Sequence, residues 1–107
     1  MAKTERYAIV YDLAVLDHLR SIDRRHHGAI QTAIETGLSF QPMTRARNRK
    51  PLYRSARWAG AWELRCGARN EFRVFYRIDD TQQQVMILAV GVKQRSTLRI
   101  AGEEFPQ

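Results

Sequence analysis

Residues 62–79 read WELRCGARNEFRVFYRID and hold two alternating segments on either side of a short turn. In the first segment Trp62, Leu64 and Cys66 alternate with polar residues, and the alternation resumes in FRVFYRID after the turn residues GARN. Because successive side chains of a strand point to opposite faces, this pattern predicts a β-hairpin with one apolar and one polar face.

The segment that follows the hairpin predicts a third strand. Asp79, Asp80 and Thr81 are typical turn residues, and residues 85–90 then read VMILAV before Gly91. An apolar run of six residues between turn signals is typical of a strand in the interior of a sheet. We therefore expect an antiparallel meander of three strands, with the third ending at Gly91.

The residues before the hairpin predict a strand and two helices. Residues 7–11, YAIVY, suit a short strand, and Asp12 can cap the helix that follows. Apolar residues at helical spacing predict one helix from Leu13 to about Asp23 and a second from about Arg24 to Leu38. The order βααβββ predicts an α+β fold of two layers, with the helical hairpin packed on one face of a twisted antiparallel sheet. The length of 107 residues predicts a single domain over residues 1–107.

The charge of the chain is strongly uneven. The formal net charge is +7, and all of the excess lies from Thr36 onward. No acidic residue occurs between Glu35 and Glu63, where six basic residues fall: Arg45, Arg47, Arg49, Lys50, Arg54 and Arg57. Charge runs are most often solvated loops, but this concentration favours a polyanionic partner such as nucleic acid.

The predicted polar face of the hairpin is also basic. If Leu64 and Val74 pack beneath the helices, Arg65, Arg73 and Phe75 point the other way, together with Arg77. Guanidinium groups form forked hydrogen bonds to phosphate oxygens, and an exposed phenylalanine can stack on a base. This face is therefore the predicted nucleic-acid surface.

Other residues favour structural roles. His26 and His27 are adjacent, so on a helix they cannot bind one metal ion together, and no metal site or cofactor is predicted. Cys66 continues an apolar face and is expected to be a small buried thiol. Trp58 is expected in the core rather than on a stacking surface. The single cysteine fits a reducing, cytoplasmic setting, and the apolar run at the N-terminus is too short to span a membrane.

The strings WELRCGARNEFRVFYRID, VMILAVGVKQRS and IAGEEF resemble the RelE/ParE superfamily of toxins from type II toxin-antitoxin systems, and in particular its RelE-like branch. The resemblance extends from Tyr7 to Phe105. It implies a RelE-like fold and an mRNA endoribonuclease, associated with the ribosome, that inhibits translation in the cytoplasm. It also implies a cognate antitoxin as partner and no cofactor.

Site residues follow where the motifs match. The resemblance implies catalytic roles for Arg65, Arg73 and Lys93. The predicted RNA-binding residues are Arg45, Arg47, Arg49, Lys50, Arg54, Phe75, Arg77 and Arg95. The chain departs from relatives at Glu63, where some have a lysine, and near the C-terminus, where Arg99 is present without a tyrosine or histidine.

These cations suit a metal-independent cleavage in which the RNA 2′-hydroxyl attacks the neighbouring phosphorus and leaves a cyclic phosphate. The arginines would stabilise the transition state, and Lys93 would assist proton transfer. Two alternatives remain open. One is a gyrase inhibitor like ParE, and the other is a relative that binds RNA or antitoxin without catalysis.

Overall fold

The computed structural model describes residues 6–53 and 57–105, which form seven strands and two helices. A short 3₁₀ turn, Arg24–His26, precedes the second helix. The helices are α1, Ala14–Arg20, and α2, His27–Leu38. The strands are β1, Ala8–Tyr11; β2, Arg49–Pro51; β3, Trp62–Cys66; β4, Phe72–Asp79; β5, Gln84–Gln94; β6, Thr97–Ile100; and β7, Glu103–Phe105.

One sheet contains all of these strands, and its centre is the predicted meander of β3, β4 and β5. β2 extends it beyond β3, and β6 and β7 extend it beyond β5, all in antiparallel fashion. Both helices pack on one face of the sheet, so the predicted α+β fold with a helical hairpin on an antiparallel sheet is confirmed.

Strand β5 has two partners along the same edge. β1 lies parallel to its first part, from Ala8 opposite Gln84 to Tyr11 opposite Ile87. β6 pairs with its last part, beginning at Gly91. Between these two partners the side chain of His18 fills the gap, because its Nδ1 accepts a hydrogen bond from the Val90 backbone N–H at 3.2 Å.

The prediction that Gly91 ends the third strand is wrong, since β5 continues to Gln94. Gly91 instead permits the close approach of β6. A Cβ atom at this position would lie 2.9 Å from the Arg99 carbonyl oxygen and 3.0 Å from side-chain atoms of Leu98 and Ile100. A glycine inside a strand often marks such a contact rather than a strand end.

The helix ends differ from those predicted because Asp23 builds a separate turn. Its side chain accepts a hydrogen bond from the Arg25 N–H at 3.0 Å, and its carbonyl accepts one from the His26 N–H at 3.0 Å. Asp12 caps α1 as predicted, since its Oδ1 accepts from the Ala14 N–H at 2.9 Å.

The main core lies between the helices and the sheet. Its fully buried members include Ile34 and Leu38 from α2 and Leu64 and Val74 from the meander. Cys66 belongs to this core, and burial raises its pKa to about 11, so the expectation of a small buried thiol is confirmed.

A second, smaller core covers part of the opposite face, which we call the far face. Trp58 stacks on Phe75 and on Phe105, with ring centroids 4.7 and 4.9 Å apart, and the Arg57 guanidinium lies over Trp58. The favoured interpretation of Trp58 as a core residue is therefore confirmed. The prediction that Phe75 is open for base stacking is wrong, because the ring is only 3% exposed. Neither α1 nor α2 covers this face, so burial of the Phe75 ring beneath Trp58 removes apolar surface from water and stabilises the fold.

Over the described residues, neither helix has the length and apolar character needed to cross a membrane.

Candidate nucleic-acid interface

The pairing of β3 with β4 sets two predicted catalytic arginines side by side. Arg65 lies directly opposite Arg73 in the register, next to the pair Leu64 and Val74 that enters the main core. Because side chains alternate along each strand, both arginines lie on the far face. Arg65 is half-buried, whereas Arg73 is only 8% exposed.

Glu63 holds both guanidinium groups. Its Oε1 lies 3.0 Å from Arg65 Nε and 3.7 Å from Arg73 Nε, and the Glu63 side chain is itself buried. Arg73 also donates from Nη1 to the Asn70 carbonyl. Burial lowers the pKa of Arg73, and the carboxylate of Glu63 opposes that shift. Arg73 therefore lies on the predicted face of the sheet, but it is buried and paired rather than exposed.

A cleft of about 790 Å³ opens beside Arg73. It lies between the 3₁₀ turn, the turn that joins β3 to β4 and the turn that joins β5 to β6. Lys93 is half-buried in its wall, where its backbone N–H donates to the Glu71 carbonyl at 2.7 Å. We call this the cationic cleft, since four of its lining residues are basic: Arg69, Arg73, Lys93 and Arg95.

The two carboxylates in the cationic cleft are already used by the backbone. Glu71 accepts a hydrogen bond from the Arg69 N–H at 3.0 Å, and Asp23 caps the 3₁₀ turn. The backbone hydrogen bond lowers the pKa of Asp23. Among the described residues, Arg69, Lys93 and Arg95 form no salt bridge, so the cleft keeps positive charge available for an anion.

Neighbouring residues of the basic loop take opposite orientations. Lys50 lies opposite Glu63 and is exposed, whereas Arg49 lies opposite Leu64 and is turned toward the helices. Arg49 donates from Nη1 to the carbonyls of Gly37 and Gln41 at the end of α2, the latter at 3.0 Å. Arg49, a predicted RNA-binding residue, is therefore turned away from the exposed surface, because its guanidinium connects β2 to the end of α2.

The other predicted RNA-binding residues are distributed over the surface. Arg45, Arg47 and Arg77 are exposed, but none of them lines the cationic cleft. Arg95 is exposed and does line it, from a turn where its φ is +58°. Arg54 lies outside the described residues.

The structure thus brings Arg73 and Lys93 into one cleft, with Arg65 beside Arg73 just outside its lining. Sequence reasoning missed two residues of that cleft, Arg69 and His26. The position of Arg69 in the turn between two basic strands was the available signal, whereas nothing in the local sequence indicated His26. Within the described part of the chain, no three His, Cys, Asp or Glu side chains are grouped so as to hold a metal ion.

The sequence matches a known protein family. Residues 2–96 match the family of ParE toxins of the parDE type II toxin-antitoxin system. No curated protein matches the sequence.

Solved structures with a similar fold include two toxin-antitoxin complexes. The toxin-antitoxin complex RelBE2 from Mycobacterium tuberculosis matches with 28% identity and a TM-score of 0.65, over 82% of this chain and 99% of that chain. The archaeal RelE-RelB complex from Pyrococcus horikoshii OT3 matches with 19% identity and a TM-score of 0.64, over 84% of this chain and 98% of that chain. The second likeness concerns the fold alone. From the family match, the chain belongs to the ParE toxins of type II toxin-antitoxin systems, within the RelE/ParE superfamily.

Proposed function

We propose that this toxin cleaves messenger RNA at the cationic cleft, without a metal ion, and thereby inhibits translation. The observation that carries the proposal is the meeting of Arg73 and Lys93 in one cleft, with Arg65 across the strand pair. RNA supplies its own nucleophile, so an enzyme of this kind needs cations at the scissile phosphate and groups that move protons.

Each cation has a distinct position for this chemistry. Arg73 is fixed before RNA arrives, because it forms an ion pair with Glu63 and donates a hydrogen bond to the Asn70 carbonyl. A guanidinium group has five N–H donors, so others remain for the oxygens of the scissile phosphate. A cation held in place in this way stabilises the charge that develops as the 2′-hydroxyl attacks.

Lys93 supplies the proton for the leaving group in this proposal. Its ammonium group protonates the 5′-oxygen while the bond from phosphorus to that oxygen breaks, and the products carry a 2′,3′-cyclic phosphate and a 5′-hydroxyl. Arg65, which is more exposed than Arg73, binds a neighbouring phosphate. The exposed residues Arg45, Arg47, Lys50 and Arg77 bind the RNA backbone further along the surface, in the context of the ribosome.

We also propose a cognate antitoxin as the partner that silences the toxin. Both similar structures are toxin-antitoxin complexes. A groove of about 430 Å³ between α1 and α2 is lined mostly by apolar side chains, and at its rim Leu13 is 82% and Leu16 58% exposed. An amphipathic antitoxin segment suits this groove. The proposed substrate and partner place the toxin in the cytoplasm.

Inhibition of gyrase is a second candidate, and the match to the ParE family favours it. A gyrase inhibitor acts through contacts with another protein and does not need phosphate-binding cations in a cleft. The two candidates therefore differ in whether Lys93 and Arg65 are required for toxicity.

Induced expression followed by primer extension on cellular mRNAs tests the proposal. We expect discrete new 5′ ends within translated regions for the wild type and for Arg20→Ala, which removes an exposed charge on α1. These ends should be lost in Lys93→Ala and Arg65→Ala. Toxicity without new 5′ ends, together with loss of supercoiling by purified gyrase, would instead support the second candidate.

A further inference from the structure

The histidine at the end of the 3₁₀ turn lies in the cationic cleft. His26 is half-buried and lines the same cleft as Arg73 and Lys93. Its backbone is fixed by the hydrogen bond from its N–H to the Asp23 carbonyl. Its ring packs against Phe72 of β4, with centroids 5.1 Å apart at an angle of 52°. The turn fixes the backbone of His26, and Phe72 limits where its ring can lie.

The other two histidines of the chain are used by the fold. The Nε2 atom of His27 lies 2.8 Å from the carbonyls of both Leu19 and Ile22. His18 fills the gap at the edge of β5 through its bond to Val90. His26 makes no comparable bond to the sheet or to α1 among the described residues, and its Nε2 accepts only a long hydrogen bond, 3.3 Å, from Arg25 Nε.

The charge around His26 comes from every element that borders the cleft. Asp23 and Arg25 belong to its own turn. The β3–β4 turn and β4 contribute Arg69, Glu71 and Arg73, and the end of β5 and the next turn contribute Lys93 and Arg95. Among the described lining residues only His26 carries an imidazole, the side chain that most often transfers protons in enzymes.

We propose that His26 is the general base of the ribonuclease reaction, an inference that rests on the proposed function. In this role the imidazole is neutral, and its Nε2 exchanges the long hydrogen bond from Arg25 Nε for one from the RNA 2′-hydroxyl. Nε2 takes the proton of the RNA 2′-hydroxyl as the bond from O2′ to phosphorus forms. The bond from phosphorus to O5′ breaks, and O5′ takes a proton from the Lys93 ammonium.

The test is the rate of single-turnover cleavage between pH 5 and 9, on ribosomes carrying a defined mRNA. We expect His26→Gln to lower the rate by about 100-fold or more and to remove the acidic limb of the pH profile. Arg24→Gln, an exposed neighbour outside the cleft lining, should leave both unchanged. Added imidazole should restore cleavage to His26→Ala, which a purely structural role would not permit.

The outcomes separate the two proposals. Cleavage by the wild type with an unchanged rate and acidic limb in His26→Gln overturns the role of His26 and leaves the proposed function standing. If His26→Gln lowers the cleavage rate but keeps the acidic limb of the pH profile, the ring contacts RNA without accepting a proton, and the role of general base is also overturned. Intact RNA with the wild type overturns both proposals. Thermal melting of each variant shows whether the fold is retained.

Discussion

Glu63 and Arg73 form a buried ion pair on the far face, with Glu63 Oε1 3.7 Å from Arg73 Nε and each residue only 8% exposed. The arginine proposed to bind the scissile phosphate therefore already has an anion beside it. Glu63 fixes this guanidinium in place, and an incoming phosphate must share it with the carboxylate.

Glu63→Gln should lower the stability and strengthen RNA binding. Loss of the carboxylate leaves Arg73 with less compensation for its buried charge, at a cost of about 1 to 3 kcal/mol in the free energy of unfolding. Loss of the negative charge leaves the two arginines free to neutralise roughly one more phosphate, which steepens the salt dependence of binding by about 0.7 in the logarithmic slope for single-stranded RNA. Urea denaturation and a salt titration of RNA affinity measure the two effects, with the exposed Glu104→Gln as the control.

Trp58→Ala should destabilise the toxin by about 3 kcal/mol or more, since it removes the ring between Phe75 and Phe105. Trp58→Phe keeps part of the stack and should cost less. Chemical denaturation followed by far-ultraviolet circular dichroism checks both values. Equal stability of Trp58→Ala and the wild type would show that the second core adds nothing to the fold.

Arg47 and Arg49 form a matched pair for the basic loop. Arg49→Ala removes the donor to the Gly37 and Gln41 carbonyls and should cost about 1 to 3 kcal/mol in stability. Arg47→Ala changes an exposed residue and should alter stability by less than about 0.5 kcal/mol, while it weakens RNA binding and its salt dependence. A larger loss of stability in Arg47→Ala than in Arg49→Ala would contradict the orientations of the two side chains.

The toxin should lose stability on mild acidification because of His18. Burial lowers the pKa of His18, with a further contribution from Arg57, while Asp17 and Asp12 act in the opposite direction. The unfolded chain therefore binds the proton at higher pH than the folded chain. The stabilisation is present above the ordinary value of about 6.5 and is lost as the pH falls through the lower pKa of the folded state.

His18→Gln should remove this slope, because an amide oxygen can accept from the Val90 N–H without titrating. Melting temperatures between pH 7.5 and 5 measure the difference between the two proteins. An equal decrease in both would assign the pH dependence to other groups.

The alternation of residues explains why much of the fold is predictable. In β4 it correctly assigned Val74 to the helices and Arg73 to the far face, because a period of two is a property of the local chain. The coverage of Phe75 was not predictable in this way. It depends on Trp58 and Phe105, which lie in distant parts of the sequence and meet only when the sheet is complete.

The candidate site likewise has features that the local sequence predicts and features that it does not. The register of β3 and β4 follows from the hairpin, so the proximity of Arg65 and Arg73 could be expected. The orientation of Arg49 could not, because β2 has three residues and includes Pro51, too short a segment to show a period. His26 reaches the cleft through packing between the turn before α2 and Phe72, a contact between residues far apart in the chain.

The parallel pairing of β1 with β5 has a consequence for how the chain folds. β1 is synthesised well before its partner residues, which begin with Gln84. The antiparallel strands from β3 onward pair with neighbours that are close in sequence. Pairing of Ala8 with Gln84 must instead close a loop that contains all the residues between them, and contacts of such long sequence separation form slowly. β1 therefore cannot pair until β5 has been translated, and during that interval the main core lacks the residues that β5 contributes to it.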